Sequence, residues 1–66
     1  MRYRVERMFN GNRNEASTIS THRTLDAAVR ACARWRGGDG WGARVVDDND
    51  NHEIDLWPEY RRLGIV

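Results

Sequence analysis

The chain has 66 residues, 39% apolar and 32% charged, and a net charge of +1. That length fits a single domain, residues 1–66, burying only about 60% of its unfolded surface, which leaves little room for a deep catalytic cleft. The composition is too apolar for a disordered chain, and no apolar run approaches the roughly 20 residues that cross a bilayer. The first ten residues are basic but carry no apolar core, so they do not read as a secretion signal. A soluble, cytoplasmic protein is the expectation.

Residues 2–9 read as a first strand. Tyr3, Val5 and Phe9 share one parity and Arg2, Arg4 and Glu6 the other, with Arg7 the exception to an otherwise half-buried alternation. Asn10-Gly11 then opens a turn over residues 10–14, because Asn and Gly both tolerate the positive φ of tight hairpins. Residues 15–23, with β-branched Thr18, Ile19 and Thr21, read as a second strand. It has few large apolar side chains, which suits an edge position.

Thr24 is a good N-cap, and Asp26 complements the helix dipole. The pattern predicts a helix over 25–36, with Leu25, Ala28, Val29, Cys32 and Trp35 on one arc. Arg30 and Arg34 lie opposite, Asp26 is placed to pair with Arg30 one turn on, and Gly37-Gly38 ends the helix. Cys32 is the single cysteine. It cannot make an internal disulfide, and on the apolar arc it reads as a small buried hydrophobe.

Residues 37–42 form a glycine-rich connector carrying Trp41. It follows a helix and lacks the Gly-Lys-Ser/Thr ending of a phosphate-binding loop. Residues 43–46 are a third strand, 47–51 a polar turn, and 52–57 a fourth strand in which His52, Ile54 and Leu56 share a face. Pro58 stops that strand and starts one helical turn that Gly64 closes, leaving Ile65-Val66 as a tail able to add a short strand. The expected architecture is α+β: a β-hairpin–helix–β-hairpin, with about four antiparallel strands in one sheet and one helix on one face. The opposite face is expected to be polar and open to solvent.

Charge is uneven along the chain. Residues 1–46 hold nine Arg against four acids, whereas residues 47–66 hold two Arg against six acids. Asp47, Asp48, Asp50, Glu53 and Asp55 make a negative edge. It reads as a solvated hairpin tip, or as a surface that meets a basic protein or imitates nucleic-acid phosphate. A calcium loop does not fit. Counted from Asp48, position five is His52 and position six, which needs glycine, is Glu53. No metal or other cofactor is expected.

All eleven basic residues are Arg, a planar, forked donor suited to carboxylates and phosphates. Arg2, Arg4, Arg30 and Arg34 form a candidate basic face, and beside aromatic residues such a face is a generic nucleic-acid footprint. The near-zero net charge and the lack of a recognised spacing weigh against that reading. Trp35, Trp41 and Trp57 are expected to enlarge a small core, the alternative being binding hot spots; Trp57 shares the parity of Glu53 and Asp55, opposite to Ile54 and Leu56, which suits exposure or cover of the other face. His22, His52, Ser17, Ser20 and Cys32 offer no nucleophile, base and orienting group at a recognisable spacing, so no enzyme is expected.

The strand Tyr3–Phe9, the helix 24–35 and the hairpin 43–57 together resemble small phage and mobile-element proteins, anti-CRISPR inhibitors among them. That resemblance is one of architecture and transfers no site residue. It implies stoichiometric binding to a bacterial protein or nucleoprotein complex by covering one of its surfaces. The leading expectation is therefore a non-enzymatic binder or inhibitor, with nucleic-acid binding as the alternative, acting as a monomer or as a homodimer paired through an edge strand.

Overall fold

The computed structural model describes residues 2–35 and 41–65. They form β1 (Tyr3–Phe9), β2 (Asn12–His22), α1 (Leu25–Arg34), β3 (Ala43–Asp47), β4 (His52–Glu53) and α2 (Leu56–Arg62). The four strands make one antiparallel sheet in the order β2-β1-β3-β4. The expected α+β architecture is thus present, with a second helix added. Because β2 and β3 both run antiparallel to β1, they share a direction on either side of it. The chain crosses the sheet between them through α1.

The turns follow from their residues. Asn10 and Gly11 both take positive φ, 54° and 71°. They join Phe9 to its partner Asn12 as a two-residue loop of the mirror-image type whose twist matches the strands. The loop is tighter than the five-residue turn predicted, and β2 begins three residues earlier. Between β3 and β4, Asp47 accepts from the Asn49 amide at 2.9 Å and Asp50 from the His52 amide at 3.1 Å. Asn51 supplies the left-handed residue, with φ 58°.

Thr24 caps α1 by accepting from the Ala27 amide at 3.2 Å. Ala28, Val29 and Cys32 face inward and are fully buried against Val5, Ala43 and Val45 of the sheet. The helix ends earlier than predicted. Trp35 is its C-cap, with extended φ/ψ of −70° and 137°. The expected Gly37-Gly38 stop lies outside the described residues, as does Arg36 at the end of the predicted helix. Leaving the helical path takes Trp35 off the apolar arc, and the ring is 37% exposed.

The fourth strand is the main departure from expectation. It stops at Glu53, and Leu56 begins a helix instead. Pro58 is the third residue of α2, where its missing N–H leaves no bond unmade. The Ile54/Leu56 spacing that reads as strand alternation instead packs Leu56 into the core and Ile54 against it, beside Tyr60. Gly64, at φ 72°, closes α2. Its amide bonds the Arg61 carbonyl at 3.2 Å and the Ile65 amide bonds Tyr60 at 2.9 Å, a paired C-terminal cap. Ile65 is therefore part of a helix cap and adds no strand; Val66 lies outside the described residues.

Candidate functional site

The two faces of the sheet are built differently. On the helix side, Val5, Ala43 and Val45 meet α1 and α2. On the other side the β1 ladder places Arg4, Glu6 and Met8, and β3 places Arg44 and Val46. That face is not the open polar surface expected: Glu6, Met8 and Val46 are all buried there. Glu6 receives Arg44 Nε at 2.8 Å, Arg4 Nε at 3.2 Å and the Thr18 hydroxyl at 3.4 Å. Arg4 continues to Asp48 and, at 2.6 Å, to Asn51. Arg44 continues to Glu53 at 3.5 Å, and Glu53 receives Arg13 at 2.9 Å. Six charges of alternating sign, Asp48, Arg4, Glu6, Arg44, Glu53 and Arg13, thus run as a chain across all four strands.

This chain absorbs part of both candidate surfaces. Of the acidic edge, Asp48 and Glu53 are paired with Arg, Asp47 and Asp50 hold the turn, and Asp55 is the N-cap residue of α2 without a side-chain capping bond. Of the basic four, Arg4 is paired in the chain and Arg2 stands at the start of β1 on the same side. Arg30 and Arg34 lie on the outer side of α1, across the molecule. The structure therefore does not bring the four arginines together. Asp26, expected to pair with Arg30, bonds Arg62 at 2.6 Å, tying the first turn of α1 to the last turn of α2.

The tryptophans also depart from expectation: none belongs to the core. Trp41 is 70% exposed and Trp57 48%. The two line one cleft of about 330 Å³ together with Arg13, Arg44, Glu53 and Asp55. The cleft exists because β4 is only two residues long, so the chain turns into α2 and leaves the sheet edge uncovered. Trp57 stands edge-on to Tyr60, with centroids 6.0 Å apart. Trp41 lies against the hairpin loop, where a Cβ on Gly11 would come within 2.9 Å of Trp41 Cε2. In the cleft Arg13 and Arg44 are both engaged by Glu53, and Arg44 also by Glu6, which among the described residues leaves the Asp55 carboxylate without an ion pair.

The residues considered for catalysis do not converge. Cys32 is fully buried. His22 shares a hydrogen bond of 2.9 Å with Ser20 along β2, and among the described residues no carboxylate bonds that ring. His52 is exposed on β4, at the other edge of the sheet. Among the described residues no three His, Cys, Asp or Glu side chains gather as metal ligands, and no helix is long and apolar enough to cross a membrane.

The cleft was not legible beforehand because its walls come from four separated segments, around residues 13, 41, 44 and 53–57. The one local signal was the position of Trp57, out of step with the apolar pair Ile54 and Leu56. Compared with protein-family models, with curated proteins and with solved structures, the chain matches none.

Proposed function

We propose that this protein is a small non-enzymatic binder that covers a basic surface of a bacterial protein or nucleoprotein complex. It is the mode of action that the likeness to anti-CRISPR inhibitors implies. The observation that carries the reading is the cleft whose walls are Trp41 and Trp57 and whose carboxylate without an ion pair among the described residues is Asp55. An exposed indole face attracts a cation most strongly among the aromatic side chains, and tryptophan is enriched at binding hot spots. The turn before β4 adds the exposed Asp50 to this negative charge. A lysine or arginine side chain of the partner enters between the indoles and meets Asp55.

The test is a pulldown from bacterial lysate at low and moderate salt, using the wild-type chain and the double variant Trp57→Ala/Asp55→Asn. The wild type recovers a stoichiometric partner, the double variant loses it, and an arginine-rich peptide releases it while a glutamate-rich peptide does not. Recovery of no stoichiometric partner, or full retention by the double variant, overturns the reading.

A further inference from the structure

A second surface of different chemistry lies around the end of α1. Arg7, the residue that breaks the parity of β1, projects on the helix side just beyond the end of α1. Its guanidinium carbon stands 5.2 Å from the centroid of Phe9 and 5.8 Å from that of Trp35. Both rings are exposed, Phe9 by 44% and Trp35 by 37%. Trp35 borders a shallow depression with Ala31 and Arg34. A second depression, lined by Arg30, Ala33, Arg34 and Ile65, meets the first at Arg34. The two measure about 290 and 280 Å³. Among the described residues no carboxylate lies within ion-pair distance of Arg7, Arg30 or Arg34.

The result is a continuous strip of two aromatic rings and three arginines, Phe9, Arg7, Trp35, Arg34 and Arg30, in which none of the arginines is ion-paired among the described residues. We infer that this strip binds single-stranded nucleic acid. Single strands are held by aromatic faces on which bases stack and by arginines that track the phosphates, and both elements lie here along one path. Arg7 packs against both rings, so less side-chain freedom is lost when a base stacks on them. Duplex DNA offers no unstacked base to Trp35, and an acidic protein segment offers charge without a stacking partner. The strip shares no residue with the Trp41/Trp57 cleft, so the inference rests on side chains other than those that carry the proposed function.

The experiment is a fluorescence-anisotropy titration of the whole chain against labelled oligo-dT and oligo-U of about 12 nucleotides, a length within the usual single-strand site size. A duplex of equal length and a glutamate-rich peptide serve as comparison probes. The single strands bind most tightly. Trp35→Ala weakens them by about fivefold to about 150-fold, as loss of one stacked base does. Because that ring lies outside the core, the variant keeps its thermal transition. Arg34→Gln lowers the slope of log affinity against log salt by about 0.7, the share of one phosphate contact. Trp57→Ala/Asp55→Asn leaves all of this unchanged. No binding to either single strand at about 50 mM salt overturns the inference. So does equal binding of the duplex or the acidic peptide, or indifference to both Trp35→Ala and Arg34→Gln.

Discussion

The two faces of the sheet share the same strands and are held by opposite means. On one, Val5, Ala43 and Val45 close against Ala28, Val29, Cys32, Leu56 and Tyr60, an apolar core without a buried charge. On the other, Glu6 is buried between Arg4 and Arg44 in a chain of alternating charge. In a chain this short, one helix pair covers one face only. The second face carries the buried Met8 and Val46 beside arginines whose head groups are committed to carboxylates. Charge that would otherwise serve as an open binding surface is thereby spent on the fold. The two surfaces proposed for recognition lie at the rim: the cleft beside the short β4 and the strip beyond the end of α1.

Breaking the apolar face has the largest expected effect. Val29→Asp places a carboxylate among Val5, Ala28 and Cys32 without a partner. Total stability for 66 residues is of the order of 3–10 kcal/mol, and an unpaired buried charge removes most or all of it. The expected outcome is loss of the cooperative thermal transition followed by circular dichroism. A folded variant with a normal transition would contradict the placement of Val29.

Breaking the charged face costs less. Glu6→Gln keeps the shape but leaves Arg4 and Arg44 facing each other without their shared anion. Removing one member of a fully buried pair costs about 3–5 kcal/mol. Here Arg4 and Arg44 keep 25% and 20% side-chain exposure, so the expected loss in urea unfolding is about 1–3 kcal/mol. A cycle of Glu6→Gln with Arg44→Met should show coupling of about 1 kcal/mol. Coupling near zero would mean that the second face is merely solvated.

These two faces also differ in how far they could be read from the residues. The apolar face was legible because its signals are local: Ala28, Val29 and Cys32 repeat at helical spacing, and Val5 and Val45 sit on alternating strands. The Asn10-Gly11 turn and the Thr24 cap were legible for the same reason. The charge chain was not, because three of its five contacts join residues 38 to 44 positions apart. Parity placed Arg4 and Glu6 on one side correctly, but parity does not say that two arginines will bury the glutamate between them. Alternation also misassigned residues 54–57. Ile54 and Leu56 are two apart on either reading, and only the docking of Tyr60 one turn after Leu56 favours helix. Trp35 and Trp57 were expected inside because large aromatic residues usually are. Trp35 instead follows the helix end outward, and Trp57 projects from the first turn of α2.

The smallest expected effect belongs to the tie between the two helices, on the outer side of the core they close. Asp26 is held below its ordinary value of 3.8, first by the hydrogen bond from Arg62, which outweighs the opposing desolvation, and further by the attraction of Arg62 and Arg30. Arg62, bonded to Asp26 and Glu59, is correspondingly harder to deprotonate. A carboxylate whose folded value lies below its unfolded one contributes stability above the unfolded value. That contribution fades as pH falls through the folded value, when Asp26 takes up its proton in both states. Both side chains are exposed, so the pair is screened by solvent and salt, and its share is a few degrees of melting temperature at most. Asp26→Asn should therefore melt slightly below the wild type near neutral pH. The gap should close as pH falls below about 4, and should shrink in high salt at neutral pH. A gap that persisted unchanged into acid would assign the effect of the substitution to the first turn of α1, where any carboxamide interacts less well with the helix dipole, and not to the bridge between α1 and α2.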